Sequence, residues 1–576
     1  MKNLMKRYAI VLACGILCGL ETIPAASLRA DVIPDAGSIL RDQLPQLPRT
    51  VPMPPPRELV APTPQKESDD GVRVTVHKFI FQGYEGVLSD QEIHDLADSF
   101  RDKQLSMKEL QGLTNVITAY LKEKGWFLAR AYLPKQDVTS GTVLIEVSQG
   151  KSDGNVAVKR DKSVRIKQCI LECIADGTVH PDQPINEKSL AHAVLLMNDL
   201  PGISARSSIA AGSEPGTSAV QFSATEGPLL RGFLLLDNYG NRYTGTWRES
   251  VMVGANDPFK YGDQASLMVT RAEGLIQGRG SYTFPIIYEG LKGNIAFTTM
   301  NYNLVAELAS LQYTGRSNTL DLGISNPILR SRVSNALTTV TYSYKSLVDS
   351  ALGTDFRDRV LHSLTIGANG DIQDTFYGGG NTNWNLALTS GTFHDALDPV
   401  NLGKTEGYYA RLNFGLSRMQ RLLERTTLNV AWKAQSAIRN LDSSEKFSLG
   451  GPYGIRAYPV GEGTGDDGHL INTEIRYNIA SPPEWGSFQA MCFYDAGFLK
   501  RNRDTTSIPL ATATNLNEYW LQGAGLGVNY TFPGKFTAQV SWSHTIGDNP
   551  GRTVNGNNSD GKAENNRFWV QAMMYF

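Results

Sequence analysis

Apolar and polar residues change rhythm several times along this chain. Ala9 to Leu20 is an unbroken apolar run, preceded by Lys2, Lys6 and Arg7 and followed by the small residues Ala25, Ala26 and Ser27. At about twelve residues it is too short for a bilayer, which takes roughly 20. It reads as a secretory signal peptide over residues 1–26, with an ill-defined cleavage site, and stands outside fold reasoning. A lipidated reading at Cys14 finds only a short apolar stretch before it. Residues 27–70 are a linker in which Pro45, Pro48, Pro52, Pro54, Pro55, Pro56, Pro62 and Pro64 forbid helix and sheet. One island, Asp35 to Gln43, is helix-compatible and carries Ile39 and Leu40.

From residue 71 the periods of strand and helix alternate. Val72, Val74 and Val76, then Phe79 and Phe81, predict a strand. Ser89 to Glu92 is a capping box, with Leu88 and Ile93 set as a hydrophobic staple. Ile93, Leu96, Ala97 and Phe100 continue as a helical stripe. A second box at Ser106 to Glu109 opens the stripe Leu110, Leu113, Ile117 and Leu121, which Gly125 stops. Phe127 to Leu133 and Thr142 to Val147 read as strands. The order then repeats: strand Asn155 to Val158, helix Val164 to Ile174, and a helix capped by Asn186 and ended by Pro201-Gly202. Strands Ile203 to Ala211 and Thr217 to Thr225 follow. Two units of about 75 residues in one order, 71–150 and 151–226, predict a tandem α+β module.

From 227 to 576 the helical period disappears. Leu428, Val430, Trp432 and Ala434 alternate with Asn429, Lys433 and Gln435. Ala524, Leu526, Val528 and Tyr530 form another apolar face, as do Phe536, Ala538, Val540 and Trp542. The chain ends Arg567-Phe-Trp-Val-Gln-Ala-Met-Met-Tyr-Phe576, with Phe568, Val570, Ala572, Met574 and Phe576 on one face. At the edge of a soluble sheet such a strand invites aggregation. It suits the closing strand of a membrane barrel, with one face to lipid and one to the lumen. At about 22 residues per strand and connection, this region holds about sixteen antiparallel strands. The polar second face argues against a packed soluble core. The predicted class is therefore membrane all-β: a transmembrane barrel behind two α+β modules.

Composition adjusts this picture only slightly. Hydrophobic content is 41%, which weakly alternating barrel strands do not raise. A net charge of −2 carries no nucleic-acid footprint. Of five cysteines two lie in the signal, so Cys169, Cys173 and Cys492 make no disulfide framework. Cys169 and Cys173 could pair only if their backbone is not helical.

Two segments break the barrel rhythm. Residues 450–463 are too Gly-rich for a strand and form a long loop between a strand ending near Ala437 and one beginning near Leu470. Arg456 is its lone cation between Lys446 and Arg476. Phe488, Ala490, Cys492, Tyr494, Ala496 and Phe498 form an apolar face, so Asp495 points to the lumen. A carboxylate in a wet lumen is otherwise ordinary. An outer-membrane hydrolase finds no Gly-x-Ser-x-Gly or His-Glu-x-x-His, and Gly378-Gly379-Gly380 lacks the Lys of a phosphate loop. No enzyme, cofactor or metal is expected.

These residues together resemble the two-partner secretion transporters, the hemolysin-activator type of the outer-membrane insertase superfamily. Pro34-Asp35-Ala-Gly-Ser-Ile39-Leu40-Arg41 resembles the family's plug helix. The tandem units resemble two POTRA domains, with Asn198 to Gly202 at the second domain's helix end. Asp237 to Gly240 resembles the entry to the first barrel strand. Ile455-Arg456-Ala457-Tyr458-Pro459 resembles the inward-folded loop motif, with Ala457 where some members have Gly. Phe493-x-Asp495-x-Gly497 resembles its partner on a barrel strand. The resemblance implies a monomeric sixteen-stranded pore in the outer membrane of a Gram-negative bacterium, with periplasmic POTRA domains. It implies a large β-helical exoprotein of hemolysin or adhesin type as client. It also implies contact with outer-membrane lipid, and Phe576 as the signal read by the barrel assembly machinery. The alternative function is an assembly factor that inserts other barrels. Two POTRA units and the plug region favour secretion, and a passive porin would not need 71–226.

Overall fold

The structure is a computed structural model that describes residues 33–43, 73–214, 216–506 and 513–576. The signal segment and most of the proline-rich linker lie outside the described residues.

The first α+β unit runs from Arg73 to Ser148. The expected first strand is two strands, Arg73–Val76 and Lys78–Gln82, in different sheets. The break falls at His77, where the amides of His77 and Lys78 both donate to Gly141 O. Arg73–Val76 pairs with Lys103–Ser106, a short strand absent from the sequence expectation. The apolar signal there is Leu105 alone. Lys78–Gln82 runs parallel to Thr142–Ser148, which pairs antiparallel with Arg130–Tyr132. Helices Asp90–Asp98 and Met107–Glu123 cover one face. Both begin in complete capping boxes, at Ser89 with Glu92 and at Ser106 with Glu109. Their buried stripes, Ile93 and Ala97, then Leu110, Leu113, Ile117 and Leu121, make the core with Phe79, Val143 and Ile145.

The second unit repeats the plan. Lys151–Arg160 is parallel to Thr217–Glu226, which pairs antiparallel with Ile203–Ala211. Helices Gln168–Asp176 and Glu187–Asn198 pack over that sheet. The first strand is longer than its apolar signal, because sheet pairing recruits polar residues on both sides. The first helix starts four residues later than its pattern, after Lys167. Cys169 and Cys173 lie within it as exposed free thiols. Helical backbone holds i,i+4 β-carbons about 5–6 Å apart, beyond the roughly 3.5–4.5 Å of a disulfide.

Sixteen antiparallel strands form the closed barrel, from Leu230–Asp237 to Asn566–Tyr575. It closes by pairing Gln571 to Tyr575 with Asp237 to Phe233. Asp237 to Gly240 therefore leave the first strand rather than enter it; the strand starts at Leu230, immediately after the second unit. Val430, Trp432, Leu526, Val528, Val540 and Trp542 are exposed on the outer wall, while Gln435, Ser541 and Ser543 are buried inside, the two-faced alternation of a membrane barrel. The second α+β unit touches the strand ends nearest the N-terminus of the barrel. Arg330 holds the Asp199 carboxylate at 2.6 and 2.8 Å, and Arg332 reaches Glu187 at 3.2 Å. That rim is thus one pole of the molecule. No helix among the described residues is long and apolar enough to cross a membrane.

Candidate functional site

Among the described residues, two segments that are not barrel strands occupy the lumen. One is the helix Ala36–Asp42, near the strand ends opposite the α+β units. The other is the connection 438–466 between strands Thr426–Ala437 and Asp467–Ile479, which folds inward.

Asp35 caps the helix: Ser38 N donates to Asp35 Oδ1 at 2.8 Å, and Asp35 N donates back to Ser38 Oγ at 3.0 Å. At seven residues the helix is too short to persist alone in water. Tertiary contacts hold it. Ala36, Ile39 and Leu40 bury against Leu275, Met300, Tyr302, Leu347 and Tyr409. The Asp35 carboxylate accepts from Arg357 at 2.9 Å, from Arg359 at 3.0 Å and from Ser443 Oγ at 2.8 Å. Arg359, only 1% exposed, also donates to Asp442 at 2.8 Å and Asp349 at 2.5 Å. Asp349 accepts in turn from Ala36 N at 2.8 Å. At the far end Arg248 bridges Gln43 Oε1, at 3.1 Å, and Asp237, at 2.8 and 3.1 Å. Gly37 faces the inward loop so closely that a Cβ there would stand 2.4 Å from Ser443 Oγ.

The same loop is bolted to the wall by Arg456. Its Nε and Nη2 donate to the two oxygens of Asp495 at 2.8 and 2.7 Å, a bidentate fork. The Arg456 amide adds a third bond to Asp495 at 3.1 Å, and Nη1 donates to Glu474 at 2.5 Å. Phe493 lies two residues before Asp495 on strand Ser487–Lys500, so it shares the lumenal face. Its ring centroid is 3.4 Å from the Arg456 guanidinium carbon. Asn472 Nδ2 donates to Asp495 at 2.8 Å and to Gly454 O at 2.9 Å. The Arg456 carbonyl accepts from Ser543 Oγ at 2.6 Å and Trp569 Nε1 at 2.7 Å. Asp495 is 0% exposed. Ile455, Ala457 and Tyr458 pack with Leu449, Leu470, Leu499 and Leu521. A Cβ on Gly497 would meet Leu449 Cδ2 at 2.5 Å, so this glycine lets the loop approach the strand. Pro459 O accepts from Glu462 N in the turn that follows.

No motif in the sequence marks Glu474, Asn472, Ser543 or Trp569. Strict alternation on strand Asp467–Ile479, with Ile471, Ile475 and Tyr477 outward, was the available signal for Asn472 and Glu474. Arg357, Arg359, Asp349, Asp442 and Ser443 carry no motif at all. Phe576 is largely exposed, and its amide and carbonyl pair with Gly232 across the barrel seam.

Residues 216–530 match the family model of the haemolysin secretion/activation proteins ShlB/FhaC/HecB, and residues 74–150 match the ShlB-type POTRA domain. The chain belongs to this family of two-partner secretion transporters. It is 25% identical to the heme/hemopexin transporter protein HuxB of Haemophilus influenzae (strain 86-028NP), over 85% of each chain. The structure of CdiB from Escherichia coli superposes with a TM-score of 0.70, at 19% identity, covering 89% of this chain and 93% of that one. BamA from Haemophilus ducreyi lacking POTRA domains 1–3 shares the fold more distantly, with a TM-score of 0.52 at 12% identity, over 88% of this chain and all of that one (100%). The protein is thus a secretion channel of the outer membrane, with its POTRA region in the periplasm, and it exports a large exoprotein. The insertase alternative rests on fold likeness alone and is the weaker reading.

Proposed function

We propose that the channel is held shut by a two-part stopper and opened by its client. The first part is the helix Ala36–Asp42 and the second is the loop 438–466. The carrying observation is that one loop touches both anchors. Ser443 and Asp442 meet Asp35 and Arg359, while Arg456 meets Asp495. The loop therefore couples the wall to the plug. Residues 151–226 are read as a second POTRA domain. Among the described residues, the end strands of the two sheets, Lys78–Gln82 and Arg130–Tyr132 in the first, Lys151–Arg160 and Ile203–Ala211 in the second, have no further strand beside them. The bridge of Lys151 to Pro184 and the bonds of Thr118 to Ala131 and Asn198 to Ala205 cover part of three of those edges. An extended client can add a strand there, gaining main-chain hydrogen bonds. The client is proposed to be β-helical, of hemolysin or adhesin type, and its folding outside to supply the driving force. The channel is proposed to work as a monomer without catalysis, in contact with outer-membrane lipid and assembled through its C-terminal strand. Planar-bilayer conductance with and without a client fragment tests the stopper. Client addition should raise conductance in the wild type. No response, with secretion intact, would dismiss it.

A further inference from the structure

The turn 257–263 joins the second barrel strand, Arg248–Asn256, to the third, Gln264–Ala272, outside the membrane-spanning wall. It is the socket for the second α+β unit. Lys167 N donates to Lys260 O at 3.3 Å, and Lys167 Nζ sits 3.6 Å from the Tyr261 ring centroid. Arg165 donates to Asn256 O at 3.4 Å and to Gly227 O at 3.1 Å. A Cβ on Gly262 would lie 2.7 Å from Leu200 Cδ2, so the turn and the unit are in tight contact.

Two carboxyl groups shape this turn from inside. Asp263 is 0% exposed; its Oδ1 accepts from Phe259 N and Tyr261 N, each at 3.3 Å, and its Oδ2 from Tyr282 OH at 3.1 Å. Asp257 is 1% exposed, and its Oδ1 accepts from Gly262 N at 2.7 Å. Among the described residues Asp257 Oδ2 is buried and has no hydrogen-bond partner. Its ionisable neighbours are Asp263, within hydrogen-bonding reach, and Glu226. The nearby cations are engaged elsewhere. Arg165 is paired to Glu226, Lys167 stacks on Tyr261, and the exposed Lys260 meets the socket through its backbone. Tyr282 donates to Asp263 rather than to Asp257. An ionised carboxylate beside a second one, with an empty buried oxygen, is unfavourable; a neutral acid that donates its hydrogen to the neighbour is not.

We propose that Asp257 is a proton-operated latch between the barrel and the second α+β unit. When it takes a proton from the periplasm, it donates a hydrogen bond to Asp263 and holds the turn in the shape that grips Lys167 and Leu200. When it loses the proton, the two carboxylates repel and the grip loosens. Burial, followed by the charges of Glu226 and Asp263, raises Asp257 to about 6 against the opposing bond from Gly262 N. The sign follows. The docked acid sits above its ordinary value of 3.8, so docking is strongest in acid. It weakens as pH rises through the range up to about 6 and changes little above. Linkage gives a fall of at most about tenfold in the docking constant between pH 5 and pH 8, the limit in which undocking returns Asp257 to its ordinary value.

The test uses the full-length protein in lipid nanodiscs, with Cys169, Cys173 and Cys492 replaced by Ser. One spin label is placed at Ser204 on the second unit and one at Thr354 on the barrel. Electron–electron distance distributions are recorded at pH 5 and pH 8. The wild-type background should show a narrow docked population at pH 5 that broadens at pH 8. Asp257→Asn, whose amide can still donate to Asp263, should stay narrow at both. Asp263→Asn removes the neighbouring charge and should move the broadening to lower pH. Identical distributions at both pH values in the wild type, or undiminished pH dependence in Asp257→Asn, would overturn the latch. Where Asp257→Asn fails to assemble, an unmoved transition in Asp263→Asn does the same.

Discussion

Asp495 offers two oxygens and Arg456 a planar fork that matches them, a geometry Lys cannot reproduce. Both are nearly fully buried, with Phe493 over the guanidinium. Removing one partner strands the other, at a cost of roughly 3–5 kcal/mol for a desolvated pair. Arg456→Ala and Asp495→Ala are therefore expected to free the loop and impair secretion more than barrel assembly. Their effects should be markedly non-additive in a double-mutant cycle read by loop protease sensitivity. Strict additivity would mean that the fork is not the anchor. Glu474 and Trp569 give the loop further partners, so Arg456→Lys should recover only part of the wild-type behaviour. In the periplasmic region, Glu92 is pulled down to about 2 by the Ser89 amide, with Lys124, Ser89 Oγ and Tyr120 adding to it. Its folded value lies below its ordinary 4.5, so its contribution is present above that value and is lost as pH falls towards 2. Hydrogen exchange at Ile93 and Ile117, corrected for intrinsic rates, should rise between pH 6 and pH 3 by less in Glu92→Gln than in the wild type.

Among the elements, the helices of the α+β units and the lumenal helix are built on opposite terms. Met107–Glu123 carries its own start signal and a full apolar stripe, so its existence is readable locally. Ala36–Asp42 has a capping box but too few turns to be stable by itself, and its environment decides its fate. Deleting residues 34–43 should raise single-channel conductance in planar bilayers. Arg359→Ala should act in the same direction, because Asp35, Asp349 and Asp442 would then face one another without their shared cation. A conductance equal to wild type in both variants would leave the helix as a passive lumen filler. The loop 438–466 belongs with this helix: its glycines show that it is no strand, but not which wall it meets.

At the scale of the whole molecule, the α+β units hang from one rim of the barrel and the stopper fills the other end of its lumen. A signal from client to plug must cross the barrel, and the loop that touches both the Asp495 wall and the Asp35 cap is the connection at hand. Deleting residues 73–226 is expected to abolish secretion while a heat-modifiable barrel still reaches the outer membrane. Secretion at wild-type level by that variant would remove the α+β units from client recognition. Arg456→Ala should also raise conductance through an intact plug, linking the two anchors; a silent pore with a protease-sensitive loop would separate them.

The barrel, its polar lumen and the two α+β modules are legible in the order of residues, because each rests on a local period. Strand alternation needs only the pleat, and helical stripes and capping boxes need only the turn. Parity alone turns Asp495 inward, since a strand side chain has two faces to choose from. Other features were decided by tertiary structure. Lys103–Ser106 is a strand because Arg73–Val76 lies beside it, and the first barrel strand begins at Leu230 because the second strand pairs there, Ala255 facing Leu230. The lumenal cluster draws Arg357, Arg359, Asp349 and Asp442 from positions that look ordinary on their own strands or loop. Closing the cylinder brings residues more than three hundred positions apart, such as Asp35 and Arg359, within 3.0 Å. No local pattern encodes such a meeting, because it depends on the shear and register of sixteen strands at once.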